Sequence, residues 1–508
     1  MSLDGALQIA TGGLANINRQ IAVLSQNVSN VNTPDYAREV GTQTSATAGG
    51  QGLGVMTGAV QREINLQLQQ QLFAQNATVS GLATQSTALA AIDPVQGTPT
   101  QGNDLASRLG QLQDAFTSLQ ADPANAAGQR QVVTAANGLA QQLNALSQAY
   151  GTGRQNAQDS LVTDIGTLNQ NLTTLSDLTQ RITAARQAGL SSADLDNQRD
   201  TTMRQTSTLL GVSFIPQANG SMMLATKGGL TLQLQTPAPQ FVAPSTVAVQ
   251  STFYPAGGIG GITLNGVDVT RALTGGQIGA ELTLRDQTLP SYQGALDEFA
   301  NALNTRLAGQ GLQLFTKPAG GTSTVVSTPV QAGYLGYAGS IAVNPSVVST
   351  PSLVRDGNVT VVGSASGGAA FTPNSATGQA GFTGLIQRVI GFSFGAQVQA
   401  GVAQSAPATQ GLGPDGTLSA PFQPPADLAG FASAIVSSQS SDVSTVSNQL
   451  TSETAVQTAL QTQLSASSAV NVDTEMSRMV ELQNAYGANA RIVAAVQAMW
   501  TQLMQSVP

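Results

Sequence analysis

Residues 3–31, LDGALQIATGGLANINRQIAVLSQNVSNV, decide the fold, because large apolar side chains recur in them at alternating steps of four and three residues. This spacing places one apolar stripe along a helix, ready to pack in a seam against a second helix. A single amphipathic helix is marginal by itself in water, so this one needs a partner. The stripe consists of Leu3, Leu7, Ala10, Leu14, Ile17, Ile21, Leu24, Val28 and Val31.

The same spacing returns at the other end of the chain, with Asn489 as one polar interruption. Because each stripe needs a partner of its own kind, we expect the N- and C-terminal helices to pair as a coiled coil. The chain would then begin and end at the same place. The C-terminal stripe consists of Met479, Leu482, Tyr486, Val493, Val496, Trp500, Leu503 and Val507.

The faces beside these stripes are almost free of charge. Asp4 and Arg19 are the charged residues before Pro34, and residues 492–508 carry none. A solvated two-helix coiled coil would carry Glu and Lys beside its seam, whereas Asn, Gln, Ser and Thr can bond to further chains without burying charge. These helices are therefore expected to pack on several sides in an assembly. An intramolecular helical pair at the edge of an ordinary globule is the alternative.

Two terminal motifs resemble those of the flagellar axial proteins, the family of rod, hook and hook-associated subunits. Residues 27–36, NVSNVNTPDY, resemble the family signature A-N-V-N-T-P-G-Y, with Asp35 in place of the usual Gly. Residues 472–476 and 482–491, VDTEM and LQNAYGANAR, resemble the closing helix of the family. The N-terminal motif is carried by Asn30, Asn32, Thr33, Pro34 and Tyr36.

These motifs also have a local structural meaning. Residues that precede proline avoid the helical region, so Thr33-Pro34 should end the first helix. Asp473 is the predicted N-cap of the last helix, and Glu475 in its first turn complements the helix dipole.

Internal segments narrow the resemblance to the hook-associated members that join hook to filament. These segments are DLDNQRD (194–200) followed by LLGV (209–212), GGQIG (275–279) and VNP (343–345). The long helices argue against the hook protein itself. The short 309–425 stretch indicates that the outer domain of larger members is reduced.

The resemblance implies a structural subunit of the bacterial flagellum that enables filament assembly and catalyses no reaction. Its implied partners are further copies of itself, the flagellar hook protein, hook-associated protein 3, an export chaperone and the type III flagellar export apparatus. The implied location is extracellular, at the hook–filament junction, with no cleaved signal peptide. Another axial subunit, either hook-associated protein 3 or a flagellin-like protein, is the alternative within the family. A secreted adhesin or surface protein is the alternative outside it.

Composition excludes several classes of site. The chain has no Cys and no His, which removes thiolate and imidazole metal sites, Ser-His-Asp triads and disulfides. The net charge of −8 gives no basic surface for nucleic acid. No apolar run approaches the ~20 residues that span a bilayer, so no membrane insertion is expected. We predict no catalytic residues, no cofactor and no metal.

A wall-cutting hydrolase would need two carboxylates across a cleft. Asp194, Asp196 and Asp200 supply carboxylates, but 196 and 200 share a helix face beside Arg199. This arrangement is typical of a solvated, salt-bridged surface, so the sequence predicts an exposed helix there.

The predicted fold is mainly α with β, an elongated multi-domain chain. A second heptad run, Leu161, Ile165, Leu168, Leu172, Leu175 and Ile182, predicts a long buried helix, and Asn219-Gly220 predicts a β-hairpin. The expected divisions are the N-terminal coiled-coil helix (1–34), a linker with a short extended segment (35–62), a helical middle domain (63–308) with a β-hairpin region (about 211–236), Gly/Pro/Ser/Thr-rich loops with a small β region (309–425), a return helix (426–470) and the C-terminal coiled-coil helix (471–508).

Overall fold

The computed structural model describes residues 3–33, 36–48, 51–217, 220–255, 257–318, 331–375 and 377–506. Among the residues singled out above, Pro34, Asp35, Asn219 and Val507 lie outside these ranges. Helices dominate, and the sheets are small and antiparallel, which confirms the predicted α+β class. In the described part of the chain, no helix is long and apolar enough to cross a membrane.

The chain begins with one helix and a long β-hairpin. Helix α1 (Leu3–Ser29) ends shortly before the Thr33-Pro34 step, as predicted. Strands β1 (Glu39–Ala48) and β2 (Gln51–Arg62) pair antiparallel, and both pack along α1. The hairpin is much longer than the short extended segment predicted for this linker. Its β-branched Thr and Val residues favour strand structure, but the neighbouring glycines are uncommon in strands and weaken the strand signal in the sequence.

Five helices then build the middle of the molecule, with breaks at Asp93-Pro94 and at Asp122-Pro123. Three of them begin at a side chain that caps the first backbone N–H groups, namely Asn65, Asp104 and Asn125. The helices are α2 (Leu66–Ala90), α3 (Asp93–Gln96), α4 (Leu105–Ala121), α5 (Ala126–Gln187) and α6 (Ala193–Leu209).

Helix α5 is the central element. Its 62 residues extend for roughly 93 Å at 1.5 Å per residue. Its first half lies in one hydrophobic core with α4, whereas residues 161–175 lie in a second core with α6 and the strands that follow. Every member of the predicted 161–182 heptad run is at most 2% exposed, which confirms that prediction.

Small antiparallel sheets follow α6. Phe214 lies opposite Leu224, and Leu224 opposite Leu232, so one apolar face covers the second core. This confirms the predicted hairpin region. The first sheet contains β3 (Val212–Pro216), β4 (Met222–Thr226) and β5 (Thr231–Gln233), and the second contains β6 (Phe241–Val242), β7 (Thr263–Leu264) and β8 (Val267–Asp268).

The region after β8 returns to helix. A π-helical turn, Leu284–Thr288, joins α7 (Gly276–Thr283) to α8 (Leu289–Gly309). Between residues 309 and 425, short elements place Val347, Val354 and Leu385 in the first core, so this region packs on the helices. Its elements are α9 (Pro345–Ser349), α10 (Leu353–Asp356), α11 (Gly384–Arg388), β9 (Gln397–Gln399), β10 (Val402–Ala403), β11 (Gln410–Leu412) and β12 (Leu418–Ser419).

Two long helices complete the chain. Helix α12 (Leu428–Ser468) starts at the cap of Asp427, buries Phe431 and Ile435 in the first core, and runs back along α2. Helix α13 (Val472–Ser506) then packs against α1. The two ends of the chain therefore meet in one coiled-coil pair, as the two stripes predict.

Candidate assembly interface

The seam between α1 and α13 is only partly closed. Ile17, Leu24 and Val496 are buried in it, with 6%, 5% and 5% of their surface exposed. Asn489, the polar interruption in the C-terminal stripe, faces Gly13, where an added Cβ would lie 3.4 Å from its Oδ1. The half-buried members of the two stripes are Leu3, Leu7, Leu14, Ile21, Val28, Met479, Leu482 and Val493.

Helix α13 carries many of its apolar side chains in solvent along its whole length. Tyr486, Trp500 and Leu503 belong to the predicted stripe, yet 41%, 46% and 52% of their surface is exposed. Further apolar residues outside the stripe are equally exposed, so α13 has more apolar surface than α1 covers. These further residues are Val472, Met476, Val480, Ile492, Met499 and Met504.

The N-terminal motif closes the base of this pair with hydrogen bonds. Asn27 is 1% exposed, and its Nδ2 donates to the backbone oxygen of Glu39 (2.9 Å) and to Oε2 of Glu475 (3.2 Å). Its Oδ1 accepts from the Glu39 backbone N–H at 2.9 Å and from the Tyr36 hydroxyl at 3.0 Å. Asn27 thus joins α1, β1 and α13, an arrangement that the apolar spacing did not reveal.

The remaining motif residues shape the turn after α1. The Asn30 Oδ1 accepts from the Thr33 hydroxyl at 3.0 Å, and the Thr33 N–H donates to the Asn30 carbonyl at 2.9 Å. Asn32 is exposed, and Pro34 lies outside the described residues. The motif is therefore a turn that positions Tyr36 against Asn27.

An ion pair at the same place ties the start of α13 to the hairpin. Arg38 donates from Nε to Oε1 of Glu475 at 2.5 Å and from Nη1 to Oε2 of Glu63 at 2.6 Å. Glu475 is 1% exposed, so it would be an uncompensated buried charge without Arg38. The predicted cap of α13 is wrong by two residues. The Asn471 Oδ1, rather than Asp473, accepts from the first free N–H groups, since the helix begins at Val472.

Burial governs the electrostatics of this junction. Desolvation, with the nearby charge of Asp194, raises the pKa of Glu39 to about 7. Desolvation also raises the pKa of the Tyr36 hydroxyl above its ordinary value. Burial lowers the pKa of Arg38, but hydrogen bonds to Glu475 and Glu63 outweigh it and raise the pKa overall. These hydrogen bonds therefore favour the charged form of the Arg38 guanidinium.

Helix α6 connects the junction to the middle of the molecule, and here the predicted exposed surface is wrong. Asp196, Arg199 and Asp200 are 4%, 5% and 3% exposed. Asp200 accepts from Arg62 and from Gln69, both at 2.7 Å, and these partners lie more than 130 residues away in sequence. Because the partners are distant, the local charge pattern resembles a solvated face although the residues are buried.

Two protein families match this chain, one over its helical middle and one over its C-terminal helix. Residues 89–316 match the family described as the flagellar hook-associated protein FlgK helical domain. Residues 461–506 match the C-terminal family of the flagellar basal body rod FlgEFG proteins, and this match covers the end of α12 and all of α13. The two matches fall on the central helices and on the C-terminal half of the candidate interface.

Three individual relatives are each named flagellar hook-associated protein 1. The chain is 27% identical to flagellar hook-associated protein 1 of Escherichia coli strain K12 over 322 residues, 60% of this chain and 57% of that protein. It is 28% identical to the protein of that name from Salmonella typhimurium, over 60% of this chain and 56% of that protein. The relative from Bacillus subtilis is 23% identical over 44% of this chain and 46% of its own length.

A solved structure, the flagellar hook junction protein FlgK from Burkholderia pseudomallei, is 25% identical with a TM-score of 0.40, over 50% of this chain and 45% of that one. The chain thus matches a little over half the length of the first curated relatives. The helical-domain match and the shared name of the relatives show that this chain is similar to flagellar hook-associated protein 1.

Proposed function

We propose that this protein is a structural subunit of the bacterial flagellum that forms the junction between hook and filament and enables the filament to assemble. The observation that carries the proposal is the uncovered apolar surface of α13 beside the α1 seam. A monomer gains nothing from keeping Trp500, Leu503 and Met504 in water, whereas burial of each large side chain is worth roughly 1.5–3 kcal/mol. The similarity of the chain to flagellar hook-associated protein 1 supports a flagellar assembly.

The first partner in this proposal is a further copy of the same chain. Exposed parts of α1 and α13 carry few charges, so identical helices can approach one another without like-charge repulsion. The two stripes, together with the flanking apolar residues of α13, form the subunit contacts. The hydrogen bonds of Asn27 and Arg38 hold the two helices at a fixed angle to the hairpin, which sets the direction in which the contacts face.

The other partners follow from the place of such a ring in the flagellum. One face contacts the flagellar hook protein and the opposite face contacts hook-associated protein 3. Before assembly the chain is carried by an export chaperone through the type III flagellar export apparatus, without a cleaved signal peptide, and its final location is extracellular. The role is mechanical, and no reaction is catalysed.

A charge placed in the subunit contact tests this proposal. Trp500→Asp or Leu14→Asp puts an unpaired carboxylate into a subunit contact from which assembly excludes water, at a cost of several kcal/mol. We expect such cells to make and export the protein, yet to carry hooks without filaments and to release flagellin into the medium. Electron microscopy of the cell surface and immunoblots of the medium measure both outcomes.

The matched control is Gln170→Asp, which adds the same charge on an exposed position of α5. We expect normal filaments from that variant. Arg199 and Asp200 are unsuitable as controls because both are buried. Full-length filaments on Trp500→Asp cells would exclude the terminal-helix contact.

A further inference from the structure

The motif at residues 194–200 builds a cleft that the subunit contact does not use. The cleft has a volume of about 450 Å³ and lies between β2, α6 and the β3–β4 hairpin. Its walls are partly apolar, and three guanidinium groups line it. The three arginines are Arg62, Arg186 and Arg199.

The acceptors around these arginines are already in use. Oδ1 of Asp196 accepts from Nη2 of Arg199 at 2.6 Å and from Nη2 of Arg186 at 3.3 Å. Its Oδ2 accepts from Arg186 at 3.0 Å and from the Ser192 hydroxyl at 2.8 Å. The second carboxylate, Asp200, is shared by Arg62 and Gln69. Both oxygen atoms of Asp196 are therefore occupied, whereas the two bonds to Asp200 fall on its Oδ2.

Arg199 is left with two unsatisfied donors. Its residue surface is 5% exposed, and its Nε and Nη1 atoms are buried without a hydrogen-bond partner. A buried N–H of a charged group that makes no hydrogen bond is costly, and native structures satisfy almost all of them. An acceptor bound at the inner end of the cleft, beside Arg199, would satisfy these donors.

The balance of charged side chains around the cleft indicates that the acceptor is negatively charged. Among the residues that line the cleft, three arginines face two carboxylates, which leaves one positive charge in excess. Asp194, on the same helix, is exposed and accepts a hydrogen bond from Gln26. Glu39 on β1 contacts the site through a hydrogen bond with Asn197, and its pKa is raised to about 7. Burial lowers the pKa of Arg199, as expected for a cation with too little compensation. An oxyanion would satisfy both the charge and the two donors, because a guanidinium edge matches two oxygen atoms.

We infer that this cleft is a binding site for an oxyanion of the carboxylate or phosphate class, held by the Nε and Nη1 donors of Arg199, with Arg62 and Arg186 at its rim. The inference rests on α6 and its neighbours and is independent of the proposed subunit contact. Apolar side chains such as Met203 and Phe214 line the same cleft, which leaves room for a ligand larger than the anionic group itself.

The test uses the full-length protein and compares sodium phosphate, sodium acetate and sodium chloride at equal ionic strength. A bound anion stabilises the folded state with a saturating dependence on its concentration. We expect a saturating rise in Tm, and a matching shift of the Arg199 Nε–Hε signal in the nitrogen–proton NMR spectrum, in phosphate or in acetate but not in chloride. A response to acetate alone identifies a carboxylate ligand, and a response to phosphate alone identifies a phosphate.

Arg199→Lys removes the two unsatisfied donors while keeping a cation beside Asp196, so its Tm should not respond to either anion. Arg181→Lys is the matched control, since Arg181 lies exposed on α5 with 56% of its side chain in solvent, and it should respond like the unmodified protein. Equal Tm values and unchanged Arg199 signals in all three salts would overturn the inference. So would a full response retained by Arg199→Lys.

Discussion

Single residues decide where the helices of this protein can approach one another. Gly276 adopts φ +67°, and a Cβ at this position would lie 2.5 Å from backbone atoms of Leu209 and Leu210. A Cβ at Gly81 on α2 would in turn lie 2.9 Å from the carbonyl oxygen of Gly276. Two glycines therefore allow α2, α6 and α7 to converge. The sequence contains Gly275-Gly276 as part of a motif, but only the structure shows which backbone segment packs against Gly81 and against Gly276.

Replacing Gly276 by alanine should therefore be costly. The side chain would be strained at positive φ and would clash with backbone that cannot move aside. We expect Gly276→Ala to lower the free energy of unfolding by about 2–4 kcal/mol, measured by urea denaturation.

Gly166→Ala is the matched control for that change. Gly166 lies exposed on α5, and an added Cβ would contact nothing within 4 Å. Alanine there should raise the free energy of unfolding by up to about 1 kcal/mol. Equal effects of the two substitutions would contradict the close approach described at Gly276.

At the scale of elements, the long helices were predictable and the polar contacts between them were not. The stripes of α1 and α13 and the run at 161–182 repeat along one helix, so spacing alone reveals them. The bond from Asn27 to Glu475 spans 448 residues, and the pair of Arg62 with Asp200 spans 138. The spacing of residues within one segment cannot reveal contacts between residues so far apart in sequence. For the same reason the 196–200 face of α6 was predicted to be solvated, although Asp196, Arg199 and Asp200 are buried.

The helices differ sharply in how much they bury, and this difference predicts how they exchange amide hydrogens. Among its described residues, α13 buries only Glu475 and Val496, whereas α5 buries large apolar residues along most of its length. Local opening requires least free energy where few apolar contacts are lost. We expect the amides of residues 480–506 to exchange much faster than those of 161–182 in the monomer, measured by mass spectrometry.

Assembly should reverse that contrast, because a further copy would cover the exposed side of α13. The same peptides should then become protected in polymerised material. Slow exchange across residues 480–506 in a verified monomer would favour the alternative of a closed intramolecular pair.

At the scale of the whole molecule, buried carboxyl groups tie stability to pH. Desolvation raises the pKa of Glu281 to about 9, with a further contribution from Asp164 on the facing helix. Burial raises the pKa of Asp297 to about 7, as it does for Glu39. These groups lie in different parts of the fold, so their effects on global stability should be nearly independent.

The sign of the pH dependence follows from the direction of these shifts. A carboxyl whose pKa is raised by folding binds its proton more tightly in the folded state, so it stabilises the fold fully below its unfolded pKa. That contribution is lost as pH rises through the folded value, here between about 4.5 and 9. We therefore expect the Tm to fall steadily from pH 5.5 to pH 9, measured by calorimetry.

The substitution Glu281→Gln separates the upper part of this profile from the rest. Glutamine keeps the shape of the side chain but cannot ionise beside Asp164, so the decrease of Tm between pH 7 and 9 should become shallower. The decrease between pH 5 and 7 should remain, because Glu39 and Asp297 still titrate there. As a control, Glu481→Gln changes an exposed carboxylate on α13, and it should leave the whole profile unchanged. A profile that is identical in Glu281→Gln and the unmodified protein would mean that the Glu281 carboxyl is ionised in the fold.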